Sequence, residues 1–166
     1  MTKALEQIAP LTLAQAYLEA QRSLDPSTQN GAALSDMEGN VSAWGHNRFP
    51  LNVTQQPDRW EYPAKSYYLE HAERTCLFHN PTKAKGRVMT CCWAACPDCA
   101  RAIIEMEVVG LITHKQAIDR GSSSWTNLVN IGLSMLREAG VDVLIFNGIG
   151  LHRGSPLLMN GDLWEP

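Results

Sequence analysis

His71-Ala72-Glu73 and, further on, Cys96-Pro97-Asp98-Cys99 decide how this chain reads. One imidazole and two thiolates are donors that suit zinc, and three protein ligands leave a fourth tetrahedral position for water. Glu73 cannot comfortably reach the same ion from the helical turn that presents His71, so it is free to move protons. Pro97 fits the first turn of a helix, and the N-terminal end of that helix helps the metal to stabilise deprotonated thiols. A lone Cys-x-x-Cys is weak evidence, but a His-x-Glu pair about 25 residues upstream makes the set specific. A closed structural zinc site would leave Glu73 without a task.

The chain around this motif has 166 residues, the size of one domain with one sizeable core. No apolar run approaches the roughly 18 residues of a membrane span. Met1 to Pro10 contains Glu6 and lacks the apolar stretch of a signal peptide. Five cysteines, an odd count, argue against a complete disulfide framework and for metal ligation plus free thiols in a reducing compartment, the cytoplasm. A net charge of −3 argues against a polynucleotide partner.

Periodicities alternate in an α/β manner. Thr12-Leu13-Ala14-Gln15 reads as a capping box, after which Leu13, Tyr17, Ala20 and Leu24 share a helical face that ends at Asp25-Pro26-Ser27. Gly31 to Leu34 and Val41 to Trp44 flank Glu38-Gly39-Asn40 as a β-hairpin. Gly45 to Tyr68 has little periodicity and reads as a loop covering a substrate. His71 to Asn80 is expected to be helical, Val88 to Cys92 a buried strand, and Pro97 to about Val109 a helix stopped by Gly110. A strand at Leu111 to Thr113, a helix through Trp125, Leu128, Val129, Gly132, Met135, Leu136 and Ala139, and a strand at Val141 to Phe146 complete the pattern. A helix between two strands requires them to be parallel, so a mixed sheet with helices on both faces is expected.

Three zinc ligands with a neighbouring Glu are the arrangement of the zinc nucleobase deaminases, in which an activated hydroxide attacks the carbon bearing an exocyclic amine. Beyond the metal motif the chain resembles the deoxycytidylate (dCMP) deaminase family over most of its length. Ala16 to Gln29, with Ser23-Leu24-Asp25-Pro26-Ser27-Thr28-Gln29, is similar to that family's opening helix and Ser-x-Asp-Pro-x-x-Gln loop. Gly45-His46-Asn47-Arg48-Phe49-Pro50 resembles its Gly-Tyr-Asn-Gly-x-Pro segment, and Asn160 to Pro166 resembles an ending found in bacterial and phage-type members. The resemblance implies a three-layer α-β-α cytidine-deaminase-like fold with a mixed five-stranded sheet whose last two strands are parallel. It further implies one zinc-dependent deaminase domain over residues 1–166, with 147–166 as a C-terminal tail.

The resemblance also implies a reaction: hydrolytic deamination of dCMP to dUMP, with one catalytic zinc held by His71, Cys96 and Cys99 and Glu73 as the proton shuttle. Ala72 would contribute a backbone contact to the base and Asn47 a side-chain contact to the sugar. Arg22, Ser23, Ser27, Arg48 and Arg120 are candidates for a 5′-phosphate, the arginines because a guanidinium fork matches phosphate oxygens. The family further implies a homo-oligomer such as a hexamer, control by dCTP and dTTP with Gly121 to Ser124 as candidate contacts, and a cytoplasmic setting (the host's, for a phage protein).

The chain departs from the family at Ala95, where Pro is usual, at Asn30, where Val is usual, at Arg74-Thr75-Cys76 and at Arg48. Asn30 adds hydrogen-bonding capacity beside the expected base pocket. This keeps a 5-substituted dCMP, or another nucleoside or nucleotide base, open as substrate. A nucleotide-binding regulator on the same fold is the competing class, and the retained Glu73 separates the two. Cys76, Cys91 and Cys92 read as core thiols, Trp125 as a core residue, and His79, His114 and His152 as hydrogen-bonded or surface histidines.

Overall fold

A computed structural model describes residues 1–79, 82, 84–151 and 155–166. In chain order the elements are α1 (Thr2–Ala20), β1 (Gly31–Ser35), β2 (Val41–His46), a 3-10 turn (Pro57–Trp60), α2 (Ala64–Tyr68), α3 (Ala72–His79), β3 (Val88–Cys91), α4 (Pro97–Glu105), β4 (Gly110–His114), α5 (Lys115–Asp119), α6 (Ser123–Glu138), β5 (Asp142–Phe146), β6 (Leu157–Met159) and β7 (Asp162–Trp164). Among the described residues no helix is long and apolar enough to cross a membrane.

The sheet runs β2-β1-β3-β4-β5, with β1 antiparallel to both β2 and β3 and with β3, β4 and β5 mutually parallel. The expected hairpin joins β1 and β2. Its turn is held by Asp36 Oδ1, which accepts from the N–H groups of Glu38 and Asn40. Alternating strand residues feed two cores. Met89, Cys91 and Leu111 pack with residues of α3, α4 and α6, whereas Val88 and Ile112 pack with Leu5, Ile8, Ala9 and Leu13 of α1. The result is the expected three-layer fold with a mixed sheet.

Several expected boundaries move. α1 begins ten residues before the capping box, and Thr12 lies inside it, its hydroxyl donating to the Ile8 carbonyl and accepting from Thr90 Oγ1. Pro10 stands within the helix, where a proline costs about 3 kcal/mol. Burial of Leu5 and Ile8, roughly 1.5–3 kcal/mol each, offsets that cost. Leu24 does not join the buried face; it lies beyond the helix and is exposed. α4 ends at Glu105, because Glu107 takes a left-handed conformation (φ 54°) and closes a Schellman cap through Glu107 N–H to Ile104 O and Val108 N–H to Ile103 O. Gly110, expected as the stop, is the first residue of β4. α3 is observed over Ala72–His79, while Asn80 and Pro81 lie outside the described residues.

The loop that follows β3 leads directly into the N-terminus of α4, and ligands of open α/β sheets bind at such carboxyl ends of parallel strands. Two glycines let the surrounding backbones close in on this point. A Cβ at Gly132 of α6 would lie 2.2 Å from the Ala95 carbonyl oxygen, and one at Gly45 of β2 would lie 2.4 Å from the Cys76 nitrogen of α3.

Candidate active site

His71 immediately precedes α3, and Cys96 caps the N-terminus of α4 with Cys99 one turn on. His71 Nδ1 lies 3.4 Å from Cys96 Sγ and 3.5 Å from Cys99 Sγ. Zinc bonds of about 2.3 Å to sulfur and 2.0 Å to nitrogen at the tetrahedral angle separate a nitrogen and a sulfur by roughly 3.5 Å. The donor set therefore fits zinc in both chemistry and spacing. Among the described residues no other three such side chains converge in this way. Contact with the Cys99 thiol, reinforced by His71, pulls Cys96 down to about 3, while the same contact and burial push Cys99 well up. The neighbouring thiol and imidazole thus favour a thiolate within the donor set, the form that binds zinc.

Glu73, on the first turn of α3, is almost wholly buried, and burial raises its carboxyl above the usual carboxylate range. Its Oε2 bonds to no protein group. A buried, unsatisfied carboxylate oxygen is costly unless a ligand uses it, and this one lines the same cavity as His71 and Cys96. Arg74, next along α3, pairs with Glu70 and Asp98 and brings Nη1 to 4.0 Å from Cys99 Sγ, where its charge favours the thiolate.

The cavity encloses about 670 Å³. Asn30, Asn47 and Ser27, expected as base, sugar and phosphate contacts, line it. The two asparagine side chains are bonded to the protein. Asn47 Oδ1 accepts the Ala72 N–H at 3.0 Å, Asn47 Nδ2 donates to the Thr28 carbonyl, and Asn30 Oδ1 accepts the Trp93 N–H. Ala72 does not line the cavity, and its N–H is taken by Asn47. Ser23 is buried beneath, donating to the Asn47 carbonyl.

The three arginines do not join the metal set. Arg22 and Arg48 line a separate, smaller cavity with His46, Phe49 and Trp60, and Arg120 lies over the Trp164 ring. Gly121 packs near the Trp93 indole, and Ser122 caps α6. His79 donates to the Trp44 carbonyl, and His114 is held between the Tyr17 hydroxyl and the Gly148 carbonyl; His152 lies outside the described residues.

Sequence reasoning missed several lining residues. Trp93 was not singled out, and Trp125, expected in the core, stands with its ring 5.8 Å from that of His71 and 5.3 Å from that of Trp93. Both indoles line the cavity, as do Trp60, Tyr62, Lys65 and Ser66 of the segment expected to be a covering loop, of which Ala64–Tyr68 is instead the short helix α2. Asn160 arrives from the β6–β7 hairpin, where it and Gly161 have the positive φ of a two-residue turn. The Asn-Gly pair was the available signal.

Residues 8–115 match the family described as the cytidine and deoxycytidylate deaminase zinc-binding region. A human deoxycytidylate deaminase is 31% identical over 107 residues, covering 60% of this chain and 60% of that protein. The match thus spans less than two thirds of such curated relatives. An uncharacterised deaminase of Aliivibrio fischeri, from the luxG 3′ region, is 30% identical over 77% of this chain and 86% of its own. Among solved structures, the dCMP deaminase of cyanophage S-TIM5 in complex with dCMP and dUMP superposes with a TM-score of 0.66 at 22% identity, over 84% of this chain and 97% of that one. With its donor triad, its fold and a matched region covering most of its length, the chain belongs to the cytidine and deoxycytidylate deaminase family.

Proposed function

We propose that this chain hydrolyses dCMP to dUMP and ammonia as a single domain over residues 1–166. The observation that carries the reading is one cavity lined by His71, Cys96 and Glu73, with Cys99 completing the donor set behind it and Glu73 Oε2 buried and unbonded. Zinc, when bound by those three residues, supplies a Lewis acid that makes water a nucleophile near neutral pH. Glu73 takes a proton from the attacking water and delivers one to the ring nitrogen beside the reacting carbon. It then carries a proton to the exocyclic amine; the carbon–nitrogen bond breaks, ammonia leaves, and the new carbon–oxygen bond becomes the carbonyl. The raised carboxyl of Glu73 suits a group that must both accept and return a proton. Trp125 and Trp93 offer the aromatic wall against which a base stacks beside His71.

Support for dCMP comes from relatives named deoxycytidylate deaminase and from the cyanophage enzyme's complex. The choice between cytosine and its 5-substituted forms belongs to the same reading, with Asn30 on the cavity lining as the departure that raises it. A homo-oligomer under dCTP and dTTP control rests on the family resemblance, and a cytoplasmic setting on that resemblance and five unbridged cysteines. An ammonia-release screen of the zinc-loaded chain over cytosine, adenine and guanine nucleosides and nucleotides, including 5-substituted dCMP, tests the proposal. Release is expected to be fastest with a cytosine deoxynucleotide. Release only from purines, or from nothing, overturns it.

A further inference from the structure

Three of the residues expected to meet a phosphate, Arg22, Arg48 and Arg120, lie off the metal-bearing cavity. The lysine and arginine side chains that line it are Lys65 and Arg74. Arg74 is engaged at the metal end by Glu70, Asp98 and the Cys99 sulfur. Lys65 is not.

Lys65 lies on α2, with its Nζ 2.6 Å from Asp25 Oδ1. Asp25 is an anchor rather than a competing surface charge. Its side chain is fully buried, and Oδ1 also accepts the N–H groups of Ser27 and Thr28. An ammonium has three donors, and Asp25 takes one. Ser27 and Thr28, whose N–H groups meet the same Asp25 oxygen as Lys65, also line the cavity. Thr28 Oγ1 accepts the Asn160 N–H and lies 3.4 Å from Ser27 Oγ, so one hydroxyl of the pair donates to the other and one hydroxyl proton remains to donate outward. A fixed cation beside two hydroxyls is a site for phosphate oxygens.

We infer that Lys65 contacts the 5′-phosphate of the substrate, and so sets the preference for a nucleotide over its nucleoside. This rests on the proposed function and deepens it. Asp25 fixes the ammonium in the absence of substrate. Ser27 and Thr28 complete the contact from the opposite segment.

The experiment compares zinc-loaded native protein with Lys65→Gln and Lys65→Arg. The readouts are kcat/KM for dCMP and for deoxycytidine, and calorimetric affinities for dUMP and deoxyuridine. Loss of one charged hydrogen bond lowers the dCMP-to-deoxycytidine ratio about ten- to a hundredfold in Lys65→Gln. The dUMP-to-deoxyuridine affinity ratio falls in parallel, and Lys65→Arg restores most of both. A tether role alone would lower nucleotide and nucleoside together and leave both ratios unchanged, which overturns the inference. A native protein with no preference for phosphate overturns it together with the nucleotide part of the proposed function. Lys65-dependent binding of dUMP by a chain that releases no ammonia upholds the inference while the proposed reaction fails.

Discussion

At the metal end of the cavity, His71, Glu73, Cys96 and Cys99 come from two short motifs, each at the start of a helix. At the other side, Asp25, Ser27, Thr28, Lys65 and Asn160 come from three segments far apart in the chain. The first set is fixed largely by local geometry, since a helical turn holds His71 and Glu73 at set spacing and another holds Cys96 and Cys99. The second is fixed by long-range bonds: Asn160 N–H to Thr28, Gly161 N–H to the Ser27 carbonyl, Gln29 Oε1 to Leu158 N–H, and Lys65 to Asp25. The donors and Glu73 therefore sit at helix starts, and the groups read as substrate-selecting sit where a loop, the short helix α2 and a hairpin meet. Asn47 joins the two, with one side-chain atom bonded to Ala72 beside His71 and the other to Thr28.

The largest effect should come from breaking the metal end outright. Cys99→Ser is expected to reduce bound zinc from about one per chain to little, and to abolish turnover, as read by elemental analysis and ammonia release. Retention of both would mean that the donors are not a zinc set. Glu73→Ala should keep zinc and dUMP affinity while turnover drops by at least ~10²–10⁴, because one carboxyl serves several proton transfers. Near-native rates in a zinc-loaded variant would remove Glu73 from the reaction.

A smaller, shared effect is expected from Asn47→Ala. It leaves the Ala72 N–H without its partner, which costs about 1–3 kcal/mol and should lower Tm by roughly 2–10 °C. Zinc and dUMP affinities should weaken together. If only dUMP affinity changes, the two ends are independent. The smallest effect is expected from Arg22→Ala, Arg48→Ala and Arg120→Ala. The dCMP-to-deoxycytidine ratio should shift less than about threefold, and stability by about 0.5 kcal/mol, the scale of surface substitutions. Arg120 should lose slightly more because its guanidinium lies 5.0 Å from the Trp164 ring centroid. A tenfold fall in the ratio for any one of the three would move the phosphate contact away from Lys65.

The contrast between the arginines and Lys65 shows where sequence proximity misleads. Asn47 and Arg48 are neighbours in an extended segment that bridges to Glu70, and successive side chains of extended chain point to opposite sides. Asn47 lines the metal-bearing cavity and Arg48 the smaller one. α1 was misplaced for a related reason. Thr12 and Gln15 satisfy a local capping pattern, but Val88 and Ile112, distant in sequence, offer a surface that extends the helix back through Leu5. β6 and β7 are three residues each, too short for an alternation to register.

The sequence by itself determined the His71, Cys96 and Cys99 donor set with Glu73 beside it, the hairpin of β1 and β2, and the parallel pair β4 and β5. Each follows from spacing within one or two turns of helix, or from a helix that must lie between two strands. Only the tertiary structure decided which charged side chains share the cavity, that Trp93 and Trp125 flank His71, and that the C-terminal hairpin delivers Asn160 to the Thr28 segment. Those relations depend on the facing directions of residues brought together from distant parts of the chain, and local periodicity carries no information about what a side chain will meet across a cavity.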